Sequence, residues 1–303
     1  MAIGGAHCRP EEDPSVIVLY GNDCAMAPLT KHVFIGRERL WCREAACLTH
    51  REYRLRNEKK VTGDWEMNET VESIEKIKKS LMRPAVVFEI GGFRPPEDPL
   101  TPWFGKVTVA ARDERWPTNP DGTPMWALGQ VNLSALDCVP EALKDVAFLT
   151  IFFGPNHPQD EDPNGTNWLI RTYASLEELS PLEQMKTSSH LKPFPMRPGE
   201  PVEDYPVWDG GDIPEDVRDL ILQLRDEGEI EDYHDLIELH NGFKVGGHPC
   251  FIQPSTSVDE PFEFVLQIDS TGKGNLMWGH HSGSAYFSRD PRTNEWCMTW
   301  DCF

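Results

Sequence analysis

The chain has 303 residues and a formal net charge of −21, from 50 Asp or Glu against 29 Lys or Arg. Nucleic-acid affinity comes from neutralising phosphates with Lys and Arg, so this balance argues against direct nucleic-acid binding, and it equally disfavours an anionic membrane. The length allows one large domain or two ordinary ones with a sizeable core, and an apolar fraction of 39% with 10 Trp argues against disorder.

In chain order, 1–82 reads as an N-terminal extension. Its first residues, Met1 to Asp13, lack the apolar stretch of a secretory signal, and no apolar run in the chain reaches membrane-spanning length. The 8 Cys are irregularly spaced, which fits free thiols in a reducing cytoplasm. A short strand is expected at 16–20. The stretch 31–60 is locally basic, with nine Lys or Arg against four Glu, and reads as a solvated or internal docking face. Cys42, Cys47 and His50 with Cys24 or His32 lack the paired Cys-x2-Cys spacing of a zinc site, so no metal is expected. The periodicity of Val71, Ile74, Ile77 and Leu81 predicts a helix over 68–82, with Asn68 as N-cap, packed against a strand at 85–90.

The main domain, 83–303, opens with a first half at 83–173. Its 95–124 stretch is loop-rich in Pro and Gly, with a short strand expected at 106–110. Trp103, Trp116 and Trp126 could stack on a ligand, although Trp residues in such loops more often cover the ends of a core. An acidic, Pro-rich and helical connector is expected at 174–240, with a short helix at 182–185. Two further helices are expected around Val217–Leu224 and Tyr233–His240, separated by Gly228. From Arg197 to His240 there are fifteen Asp or Glu and three Arg, a balance of −12. Asp226, Glu227, Glu229, Glu231, Asp232 and Asp235 are therefore the candidate partner-binding residues, since such a surface attracts a cationic protein.

The second half, 241–303, carries an echo of the first. Ile90-Gly91-Gly92-Phe93 matches Val245-Gly246-Gly247-His248, and Leu128-Gly129-Gln130-Val131-Asn132-Leu133-Ser134 matches Val265-Leu266-Gln267-Ile268-Asp269-Ser270 in its Gln-apolar-Asn/Asp pattern. On a strand, the Gln and the Asn or Asp share one face. They either satisfy buried backbone or line a cleft between the halves; Trp116, Gln130, Gln267, Asp269 and His280 are the cleft candidates. No Gly-x-Ser-x-Gly elbow, phosphate loop or dinucleotide fingerprint occurs, and no carboxylate pair stands out for acid–base work. A binding protein without cofactor or catalytic residues is expected rather than an enzyme.

These motifs also resemble a known family. Trp116-Pro117, Asp121-Gly122-Thr123-Pro124-Met125, the Leu128–Ser134 segment, Lys244-Val245-Gly246-Gly247-His248-Pro249, Trp278-Gly279, Tyr286-Phe287 and Trp300-Asp301-Cys302-Phe303 occur in the order and spacing of the YwqG-like bacterial family. The resemblance covers roughly 83–303 and implies an α+β, β-rich fold of two related halves with added helices. Asn132 stands where the family's first Gln-Ile-Asp has Asp, and His280 where Asp follows Trp-Gly. Members resemble immunity proteins encoded beside secreted toxins. The expected function is thus a cytoplasmic immunity protein that neutralises a basic toxin, a DNase or RNase being suggested by charge. The alternatives are a small-molecule-binding protein or enzyme using the cleft between the halves, and a scaffold or regulatory subunit.

Overall fold

A computed structural model describes residues 31–35, 38–43, 46–49, 64–156, 158–159, 162–254 and 256–303, with side chains from Thr70 onward. The expected strand at 16–20 and the candidate ligands Cys24 and His50 lie outside them. The chain divides into two compact units, Met1–Glu72 and Ser73–Phe303. In the first, β1 (Lys31–Ile35), β2 (Glu38–Arg43) and β3 (Ala46–Thr49) form an antiparallel sheet within the basic stretch. The side chains of His32, Cys42 and Cys47 lie outside the described set.

α1 (Asp64–Leu81) crosses the boundary between the units. It begins before Asn68, which is an interior helix residue and not the expected N-cap. Of the expected stripe, Ile77 and Leu81 are buried while Val71 is exposed. They join Val217, Ile221 and Leu224 of α2 (Glu215–Asp226) and Tyr205 in a small second core. The expectation that this helix packs on the following strand is therefore corrected, because α2 offers the complementary apolar face.

The second unit is built on an 11-stranded sheet with every pairing antiparallel. Its strands are β4 (Arg83–Ile90), β5 (Trp103–Phe104), β7 (Trp126–Asn132), β8 (Phe148–Phe153), β9 (Trp168–Tyr173), β11 (Phe194–Pro198), β12 (Val202–Asp204), β13 (Phe243–Gly246), β14 (Glu263–Asp269), β15 (Gly283–Arg289) and β16 (Trp296–Cys302). A separate pair joins β6 (Val109–Ala111) to β10 (Leu179–Pro181). The fold is thus α+β and β-rich. No helix among the described residues is long and apolar enough to cross a membrane.

The strand order β16-β15-β14-β13-β4-β11-β5-β7-β8-β9 reads alike from both ends. At the centre β4 pairs with β11, Met196 opposite Ile90. Outward from each lies a short strand, β13 beside β4 and β5 beside β11, then a three-strand meander. β7 and β14 both carry an irregularity at the same place, between Ala127 and Gly129 and between Phe264 and Leu266. Trp103 faces Gln130 as Lys244 faces Gln267. Both short strands run into a left-handed glycine, Gly105 at φ 68° and Gly246 at φ 81°, where a Cβ would be strained. The residues that correspond to Val245-Gly246 in this register are Phe104-Gly105. Ile90-Gly91, matched to them on sequence, ends the central strand β4 instead.

Burial follows the period of two. On β8, Leu149, Ile151 and Phe153 enter the main core, while Phe148 and Phe152 enter small outer clusters under the 100–125 loops and β10. A strand covered on both faces reads as an unbroken apolar run. The sheet curls far enough for its ends to meet: Trp168 on β9 packs on Phe287 on β15 at 6.0 Å, and Trp300 on β16 donates to Pro158 O at 2.8 Å.

The 174–240 stretch supplies β10, β11, β12 and α2, so part of the expected connector lies inside the sheet. The short helix expected at 182–185 is absent; Leu182 follows β10 in irregular chain. The strand expected at 106–110 is found as β6, three residues later. The second acidic helix is reduced to a 3-10 turn, Tyr233–Asp235. Asp232 there accepts from His234 N and Asp235 from Glu231 N and Asp232 N, a capping box at the start of the turn.

Candidate functional site

Where β13 ends, the chain leaves the sheet through Gly246 and Gly247 and runs to Gln253 as an extended loop. Alternate backbone N–H groups pin it inward. His248 N donates to Asp204 at 2.8 Å, Cys250 N to Gln267 at 2.9 Å, and Ile252 N and Gln253 N to Asp301 at 2.8 and 3.0 Å. The residues between, Pro249 and Phe251, line a cleft of about 1150 Å³. Arg83, Asp212 and Arg292 also border it, with a wall at Phe262 and Phe264.

Beneath the loop lies a buried polar network. Lys244 and Asp204, both fully buried, pair at 2.7 Å. Lys244 Nζ also lies 3.3 Å from Cys250 Sγ, which is 3.4 Å from His240 O. Burial pushes the Cys250 thiol up, against the opposing pull of Lys244. His248 Nε2 lies 2.7 Å from Leu81 O, which as a carbonyl can only accept, so this nitrogen carries the proton. Nδ1 lies 3.5 Å from Asp212. Gly247 has φ 72°, and a Cβ there would run into the Asp204 carboxylate. Asp204, Lys244 and Cys250 were not singled out by the sequence patterns. The one signal was a Lys flanked by Phe243 and Val245 in a strand, where a charge requires a partner. The network faces the interior while the cleft is lined by the alternate residues, so it positions the loop and offers no nucleophile to the cleft.

The cleft candidates do not converge on this cavity, and none of them lines it. Gln130 is fully buried; its Oε1 accepts from Thr108 N at 2.7 Å and its Nε2 donates to Pro99 O and Thr101 O at 3.0 and 2.7 Å. Gln267 is equally buried, between Cys250 N and Asp269. Asp269 is half-buried and accepts from Ser284 Oγ at 2.7 Å and Gly242 N at 2.6 Å. Trp116, also half-buried, donates to Met125 O and packs edge-on against Phe152. His280 is exposed on the turn after Trp278. Four of the five thus hold loops to the sheet. Trp126 is buried and Trp103 half-buried under Lys106, so the Trp residues of this half form no open platform.

The six partner-binding candidates are all exposed. Asp226 contacts Arg225 and Glu227 contacts Gln223; Asp232 and Asp235 cap the 3-10 turn. The second unit holds 38 Asp or Glu and 19 Lys or Arg, so it carries −19 of the net −21. No group of three or more potential metal-binding side chains occurs among the described residues.

Residues 104–293 match the model of a protein family described as a domain of unknown function, DUF1963. No curated protein matches the chain.

Proposed function

The chain belongs to the DUF1963 family, a domain of unknown function, and we propose that this member acts by binding and neutralising a basic protein, as an immunity protein does a toxin. The observation that carries this reading is the row of exposed carboxylates from Asp226 to Asp235 on a unit with a charge of −19. A nuclease is the favoured target class, because its substrate site must be basic and carboxylates can stand where phosphates would sit. The reading places the protein in the cytoplasm, within interbacterial competition, and among the YwqG-like members of its family. The mirrored strand order, the paired irregularities on β7 and β14 and the glycines at 105 and 246 support an origin by duplication, with the central strands β4 and β11 exchanged between the halves.

The test is a pull-down at low salt of the tagged protein from its source cells, with high-salt elution and mass spectrometry. Asp226→Lys, Glu227→Lys and Glu229→Lys are reversed together, because Asp232 and Asp235 also cap a turn. The expected result is one basic polypeptide, toxic when expressed alone and rescued by this chain, whose association rate with the triple variant falls at least about tenfold. Unchanged association of the variant removes this surface from the interface. The cleft bordered by Phe251, Phe262 and Phe264 favours a second reading, a small-molecule binder or enzyme. Recovery of no partner together with a retained small molecule selects it.

A further inference from the structure

We infer that the aromatic pocket beside α2 is the anchor of the partner surface and takes a lysine or arginine side chain. This rests on the binding reading above and adds to it a place and a chemistry. A pocket of about 240 Å³ lies between Trp208, Ile221, Leu222 and Tyr233, with Asp209, Asp232 and Arg225 at its border. A second cavity, of about 230 Å³, shares Trp208, Asp209 and His234 with it. The indole is therefore a wall common to two adjoining hollows.

The walls are fixed in advance. Tyr233 packs on Trp208 at 5.5 Å and lies 3.0 Å from Pro206 O through its hydroxyl. Arg218 of α2 sits 4.5 Å from the Trp208 ring and donates to Trp208 O at 2.8 Å. An aromatic wall already held in place loses little freedom when a ligand arrives. The Trp208 indole N–H has no partner among the described residues, whereas Trp116, Trp126, Trp168 and Trp300 each donate within the fold. Trp208 is half-buried, and that donor is left for an incoming carbonyl.

Shape and charge select the occupant. Ile221 and Leu222 suit a methylene stem, and Asp209 is an exposed carboxylate at the mouth with Asp232 beside it. Arg225 is drawn to Asp226 at 3.2 Å, while Asp209 and Asp232 at the border form no ion pair among the described residues. An acidic side chain would be repelled, and a short apolar one would leave the carboxylates without a counter-charge. Trp and Tyr in a defined pocket are also the residue types that dominate binding energy at interfaces.

The experiment uses hexalysine as the probe and hexaglutamate as the control, added to the full isotope-labelled chain at low salt. The indole N–H resonances are followed, that of Trp208 being assigned by its loss in Trp208→Phe. Hexalysine is expected to shift the Trp208 signal and hexaglutamate to leave it in place. Trp208→Ala and, independently, the surface change Asp209→Lys are expected to weaken hexalysine by about tenfold. Hexalysine binding with the Trp208 signal unmoved and both variants binding like the parent overturns the pocket while leaving the acidic surface standing. Failure of hexalysine to bind at all overturns both.

Discussion

Among single residues, Asp204 carries the most. One carboxylate accepts from Lys244 Nζ, His248 N and, at 3.4 Å, His240 N, and so ties β12, β13 and the loop after the 3-10 turn to one point. Lys244 is fully buried, so removing its partner leaves a charge without water or counter-ion. Asp204→Ala is expected to cost about 3–5 kcal/mol, read from the midpoint of urea unfolding. A loss below about 1 kcal/mol would mean that water enters and solvates Lys244. The same site explains why a raised Cys250 thiol can sit beside a lysine: burial, helped by the nearby Asp204 charge, outweighs the lysine's pull.

At the scale of elements, two glutamines do corresponding work. Gln130 on β7 and Gln267 on β14 stand opposite β5 and β13, and each accepts from the backbone N–H of a loop just after the left-handed glycine, at Thr108 and Cys250. Gln130 serves two carbonyls as well, whereas the amide of Gln267 turns to Asp269. Leucine at either position is close in size but leaves those backbone groups unpaired, each worth about 1–3 kcal/mol when buried. Gln130→Leu is therefore expected to destabilise more than Gln267→Leu, measured by denaturant unfolding of the two variants side by side. Equal losses would show that Asp269, left without its amide, costs as much as the extra carbonyls. At Tyr233–Asp235 polar side chains act on the backbone in another way: Asp232 and Asp235 form a capping box at the start of a single 3-10 turn.

At the scale of the molecule, the halves are joined across the sheet and also at one ion pair. Arg289 on β15, almost fully buried, reaches Asp145, just before β8, with Nη2 to Oδ2 at 2.9 Å. The Arg289 hydrogen bond and charge hold the Asp145 carboxyl below its ordinary value despite some opposing burial. A carboxyl depressed in the folded state stabilises above its unfolded value, near about 3.9, and that stability is lost as pH falls through the folded value. Asp145 is largely exposed, so solvent screening keeps the effect modest. Asp145→Asn is expected to be less stable than the parent at neutral pH and to show a shallower loss of stability below about pH 4, followed by thermal unfolding across pH. Parallel acid limbs in the two proteins would remove this pair from the account.

Beyond the β-rich class that the family resemblance implied, the sequence by itself determined the short strand near 109, the helix ending near Leu81 and the concentration of acid between Arg197 and His240. Each of these is a local property, a period of two or 3.6 or a sum of charges, which a short stretch of chain displays without its partners. Only the tertiary structure decided which strands adjoin. It placed β11 at the centre of the sheet, inside a stretch whose prolines and acids read as a linker, because the neighbours β4 and β5 are supplied from about a hundred residues away. It also put Asp204 against Lys244, separated by 40 residues, and closed the pocket of Trp208 and Tyr233. Pairing a buried charge and shaping a cavity both depend on which distant side chain arrives opposite, and periodicity along a chain carries no record of that.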